Sequence, residues 1–298
     1  SSDVCSSDLP SERLILPVWF LQTIRSRTAT SYDAEDMNKF LRLAGLAAHG
    51  LITIGLLLVI VRSAIVLVIA RPPNAEGLRL PIDGILSLML FPAFFHTLVS
   101  FVGAIPLYLR KESRNQVEKN ILLLLMFFLA IGNVKTVPIH SFLTHSFVVP
   151  NSLVGSLMVF SSVFTTYLLL ITSLFQQGVN TNKLQQFIMI GVSISLIVSI
   201  AVPLSVNSNG FIAAPTLTNT TLVWTVRLIN ILSCFNFTTI YLKERTQHNL
   251  IRCSGFILLI IGQMCIEERP NLAFTIIGLV FYIAGILLVS PLGKNYRL

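Results

Sequence analysis

Long apolar runs, separated by short polar stretches, set the pattern of this chain. They fall at roughly 43–70, 82–109, 120–141, 153–176, 185–206, 222–242, 251–266 and 271–291. Each approaches the roughly 20 apolar residues that carry a helix across a bilayer, with the seventh run the shortest. Leu14 to Ile24 is apolar too, but too short to cross, and fits an interfacial segment. The pattern therefore predicts an all-α integral membrane protein, a polytopic bundle of about eight transmembrane helices. The third run is broken: Asn133, Lys135, Pro138 and His140 interrupt it, and His145 follows. Lipid tolerates such backbone only where protein or a water-filled cavity covers it.

Composition agrees with this reading. Charged residues make up 11% of the chain and mean hydropathy is +0.79, whereas a soluble domain carries about 25% charged residues. The net charge of +8 follows from the Lys and Arg excess of cytoplasmic loops. No basic run is interleaved with aromatics, so no nucleic-acid partner is expected. Counted from Met37 with the N-terminus inside, 12 Lys and Arg fall inside and four outside, the four being Arg71, Arg79, Lys135 and Arg269. That asymmetry predicts both termini in the cytoplasm and residence in a plasma membrane, of the bacterial inner type. The uncharged stretch 207–221 then lies outside and carries the sequon Asn219-Thr220-Thr221.

The ends read separately. Ser2-Asp-Val-Cys-Ser-Ser-Asp-Leu9 looks like the in-frame translation of a sequencing-adapter end, so 1–9 is expected to be non-native. Met37 is a candidate native start. Residues 10–42 form a cytoplasmic or interfacial segment, 43–291 one transmembrane domain, and 292–298 a short cytoplasmic tail. The cysteines Cys5, Cys234, Cys253 and Cys265 form no C-x-x-C pair. Cys253 and Cys265 lie about 18 Å apart along one helix, too far for a disulfide.

The candidate chemistry lies in ionisable residues within the spans: Arg62, His96, Lys135 and Arg227, with His140 near the outer end of the third. An ionisable residue at that depth is a functional-site hypothesis by default. Two readings are open. In one, Arg62, Lys135 and Arg227 line a cavity open to the outside that attracts an anionic solute or lipid headgroup. In the other, Arg62 and Lys135 pair with Asp83 or Glu268, or snorkel to the interface. His96 follows Pro92 by four residues, where a proline kink would either open a polar pocket or leave a carbonyl for the imidazole. His140 and His145 are poorly spaced as joint metal ligands. No metal and no cofactor are expected.

Enzyme signatures such as H-E-x-x-H, or G-x-S-x-G with a paired histidine, are absent. Lys135-x-x-Pro138-x-His140-x-Phe142-Leu143, with Pro150 beyond, is similar to the broken helix of the antiporter-like subunits of respiratory complex I. Ile82-Asp83-Gly84 resembles an early helix of that family. That family pumps protons, but its tryptophan is Phe142 here, its Pro-Asp pair is missing, the two segments lie far too close together, and the membrane glutamate that the proton path needs has no counterpart. It fixes no family.

Packing is clearer. Gly255 and Gly262 are seven apart, as are Gly278 and Gly285. A seven-residue step keeps both on one face, where small residues let membrane helices approach. The functional expectation is a carrier or permease for a small anionic or amphipathic solute. The alternative is a ligand-sensing, receptor-like or scaffolding module lacking its output domain. Expected partners are the lipid bilayer, that solute or a lipid headgroup, and a protein partner or second copy.

Overall fold

The computed structural model describes residues 18–70, 89–109, 116–144, 150–178, 183–202, 219–267 and 272–289, with side chains from Arg42 onward. Ser1–Ala44 and Gly45–Leu298 are two separate units. The described part of the first, 18–44, is the start of helix α1 (Val18–Ile65).

α1 ends in a π-helical turn, Val66–Ala70. Then follow α2 (Phe91–Leu109), α3 (Gln116–Ile131), a 3₁₀ turn (Gly132–Lys135) and α4 (Thr136–Thr144). The rest are α5 (Asn151–Gln176), α6 (Leu184–Ala201), α7 (Thr220–Glu244), α8 (Gln247–Glu267) and α9 (Leu272–Val289). Among the described residues there is no strand, and eight helical segments are long and apolar enough to cross a membrane. The segment Glu118–Thr144 is the broken third run, carried by α3, the turn and α4 together. The seventh run is longer than its apolar stretch, because α8 begins at Gln247, ahead of the hydrophobic residues.

The outward faces are apolar: Leu51, Ile69, Ile197, Ile200, Leu228 and Phe235 are all more than 60% exposed, far more apolar surface than a soluble monomer shows. Inside, α5 is the most enclosed helix, packed by α3, α6 and α7. Its small residues permit this, and its hydroxyls bond their own helix, as Thr172 to the Leu168 carbonyl at 2.7 Å. The main core joins Leu125, Met126, Phe164, Leu168, Phe237, Phe256 and Tyr282, with Phe237 and Phe256 stacked at 4.7 Å.

α8 and α9 pack more closely than any other pair. The four glycines form the seam. A Cβ on Gly262 would lie 2.5 Å from the Tyr282 nitrogen and 2.7 Å from the Gly278 oxygen. On Gly285 it would lie 2.6 Å from the Leu259 nitrogen and 2.8 Å from the Gly255 oxygen. Backbone meets backbone here, which only glycine permits.

Two termini show how the ends are fixed. Asn219, the sequon asparagine, caps α7: its Oδ1 accepts from the Leu222 N–H at 3.0 Å. α7 and α8 are joined through Arg245, which has a positive φ of 29°. Its N–H bonds the Tyr241 carbonyl at 2.8 Å, and the Thr246 hydroxyl caps α8 through the Asn249 N–H at 3.3 Å.

Candidate functional site

The break in the third span is a single 3₁₀ turn, Gly132–Lys135. Mid-helix 3₁₀ and π turns mark hinges or sequence under strain. Here three lie in the first three spans: Val66–Ala70, residues 89–90, and Gly132–Lys135. Pro138 is the third residue of α4. It has no N–H for the Val134 carbonyl four residues back, which lies in the turn, so it fits the local loss of α-helical bonding there.

The turn aims Asn133 inward, 3% exposed. Its Nδ2 donates to His96 Nδ1 at 2.8 Å and to the Leu129 carbonyl at 3.4 Å. His96 Nδ1 therefore acts as acceptor, and in the neutral ring the proton sits on Nε2. That Nε2 is buried and has no hydrogen-bond partner. The imidazole lies against the Tyr282 ring, centroids 4.2 Å apart. The Ser100 hydroxyl donates to the His96 carbonyl at 2.7 Å, so the Tyr282 hydroxyl donates to Ser100 at 2.5 Å. Lys135 lies within electrostatic range of His96. α2, the turn and α9 thus converge on one buried polar centre.

The proline expectation needs correcting. Pro92 lies in the first turn of α2, just after the π turn, and the proline inside that helix is Pro106. The His96 ring bonds Asn133 rather than a carbonyl released by a kink.

His140 belongs to a second contact. Ser63 donates to the Val59 carbonyl at 2.6 Å, so His140 Nδ1 donates to Ser63 Oγ at 3.0 Å. Arg62 is exposed and within electrostatic range of His140. Arg227 sits on a different pair of helices. Its guanidinium lies 5.2 Å from the Trp224 ring centroid, at the edge of a groove of about 440 Å³ between α7 and α8, lined by Ile231, Phe235, Ile261 and Met264 among others. The contacts shown group Lys135 with His96 and Asn133, Arg62 with His140 and Ser63, and Arg227 with Trp224 at the groove. His145, Asp83 and Glu268 lie outside the described residues.

The residue that sequence reasoning missed is His49. It is fully buried, and both ring nitrogens lack a hydrogen-bond partner. Phe101, Tyr108 and Phe127 surround it edge-on, at 5.3, 6.2 and 5.5 Å. The signal was an ionisable residue inside the first apolar run, with Thr53 one turn on. Among the described residues no three His, Cys, Asp or Glu cluster as metal ligands.

Comparison with protein-family models, with curated proteins and with solved structures found no match to this chain.

Proposed function

We propose that this chain is a polytopic membrane carrier for a small anionic or amphipathic solute, with both termini cytoplasmic, and that the solute binds at the broken third span. The observation that carries this reading is the His96 centre. A buried Nε2–H with no acceptor costs free energy unless something accepts from it. A carboxylate or similar oxygen of a solute supplies that acceptor, and Lys135 supplies the charge. The three irregular helical turns around the centre support a segment that moves during a transport cycle.

The test is uptake into proteoliposomes from a panel of radiolabelled small carboxylates and fatty acids. The wild type takes up at least one above protein-free vesicles. His96→Leu and Lys135→Met each cut that uptake about tenfold or more, as loss of a charge-assisted hydrogen bond does, while thermal unfolding in detergent shows them folded. Wild-type protein that moves none of the panel would overturn the proposal.

A further inference from the structure

The groove between α7 and α8 lies apart from the His96 centre. Its wall on α7 is Arg227, Ile231, Cys234 and Thr238. These positions are spaced by four, three and four, which keeps them on one helical face. On α8, Ile261 and Cys265 form the facing stripe, again four apart. α8 gives its glycine face to α9 and turns this stripe toward α7. The groove opens outward, where Ile231, Phe235 and Ile261 are exposed.

Its length and its charge both point to one kind of occupant. Arg227 and Thr238 are 11 positions apart, about 16 Å at the helical rise. A bilayer core is about 30 Å thick, so one leaflet supplies about 15 Å of hydrocarbon. The groove is as long as the acyl region of one leaflet. α7 has 25 residues, about 37 Å, and so overreaches that core by about 7 Å. Arg227 lies seven positions from the helix start, about 10 Å in. Helical side chains tilt toward the N-terminus, and the Arg227 guanidinium does so, 5.2 Å from the ring centroid of Trp224 three positions earlier. An arginine so placed carries its charge to the headgroup boundary while its stem covers the groove. Trp224 stands where interfacial tryptophans anchor a span. Among the described lining residues Arg227 carries the charge. At the far end the Thr238 hydroxyl already donates to the Cys234 carbonyl at 2.9 Å.

We propose that the α7–α8 groove binds one anionic phospholipid, its phosphate on the Arg227 guanidinium and an acyl chain along Ile231 and Phe235 toward Thr238. A guanidinium presents five N–H donors in a fork that matches phosphate geometry. The volume of about 440 Å³ lies within the roughly 300–1,000 Å³ of small-molecule sites. A free anion would leave the apolar length of the groove uncovered, whereas a lipid covers both parts. The site rests on the membrane reading but shares no residue with the His96 centre, so it stands whether or not the solute reading holds.

The experiment uses Trp224 as the reporter. The chain has two tryptophans, Trp19 and Trp224, so Trp19→Phe leaves the one beside Arg227. The full chain is placed in phosphatidylcholine vesicles with a small fraction of either brominated phosphatidylglycerol or brominated phosphatidylcholine, whose bromines quench tryptophan. Phosphatidylglycerol quenches at about tenfold lower fraction, the ratio a charge-assisted hydrogen bond gives, and the quenching saturates as at one site. Arg227→Gln brings the two lipids level. Leu228→Ala, exposed and outside the groove, changes nothing. If Arg227→Gln does not fold, Thr238→Phe on the exposed wall blocks the path of the chain and weakens phosphatidylglycerol quenching several-fold. A host made wholly of brominated phosphatidylcholine quenches Trp224 whatever the headgroup preference, and failure there would strike the membrane reading itself. Equal quenching by the two minor lipids, a preference that survives Arg227→Gln, or displacement of the lipid by inorganic phosphate alone would overturn the proposal.

Discussion

Gly262→Ala tests the link between the packing seam and the His96 centre. The added Cβ would stand 2.5 Å from the Tyr282 nitrogen, 2.7 Å from the Gly278 oxygen and 2.9 Å from Tyr282 Cα. Ordinary contact begins near 3.4 Å, so α8 and α9 must separate by about 0.9 Å. None of the three obstructing atoms is a side-chain end that could swing away. Overpacking costs about 1–3 kcal/mol, and a gap of that size forfeits up to half the dispersion energy along the seam. The upper end, about 3 kcal/mol, is the fair estimate. Better helix propensity returns about 1 kcal/mol, which leaves a net loss near 2 kcal/mol. Thermal unfolding should show a midpoint about 6 °C lower. Gly55→Ala is the control: nothing lies within 4 Å of its Cβ, and it should be neutral or stabilise by up to about 1 kcal/mol. Because the atoms pushed are those of Tyr282, its 2.5 Å bond to Ser100 should break with the seam. Tyr282→Phe would then cost about 1 kcal/mol in the wild type and little in the Gly262→Ala background. Equal stability of Gly262→Ala and Gly55→Ala would refute the seam, and equal cost of Tyr282→Phe in both backgrounds would refute the link.

Three further outcomes are expected. Arg245→Gly relieves the positive φ between α7 and α8 and should stabilise by about 1 kcal/mol in equilibrium unfolding, since a left-handed conformation costs a side chain that much; a loss would show that the Arg245 side chain matters more than its backbone. Glu118 accepts from Arg252 Nε at 2.6 Å, both groups about 20% exposed, and joins α3 to α8. A double-mutant cycle of Glu118→Gln and Arg252→Met should give a coupling of about 1 kcal/mol, screened by salt, and zero coupling would make the pair ornamental. Reporter fusions at Lys111, Lys183 and Arg245 should all report cytoplasm, and opposite signals at two of them would refute the orientation.

The spans were legible because periodicity hardly matters in lipid: a long apolar run is already the signal. The glycine seam was legible from spacing, since Gly255, Gly262, Gly278 and Gly285 need only their own two helices to define a face. The break was legible as a place but not as a geometry. Several polar residues and Pro138 marked the place, but that the chain tightens into a 3₁₀ turn at Gly132–Lys135 rather than unwinding was visible only in the structure. Of the candidate site residues, His96 and Lys135 share a region, whereas Arg227 belongs to another pair of helices. Depth along a span follows from counting residues, but azimuth around the bundle depends on partners that sequence does not name. His49 was illegible for a related reason: the rings that enclose it, Phe101, Tyr108 and Phe127, come from other helices.

Tyr282 joins the legible part to the illegible one. Its backbone is the floor of the glycine seam at Gly262, its hydroxyl holds Ser100, and its ring covers His96. The seam cannot slide, because backbone blocks backbone at both glycine levels. Among the described residues, the π and 3₁₀ turns named above lie in α1, before α2 and between α3 and α4, none of them in α8 or α9. A transport cycle that respects these contacts would therefore keep α8 and α9 fixed and displace the turn Gly132–Lys135 against them. The bond from Asn133 to His96 at 2.8 Å is the connection such a movement would have to break.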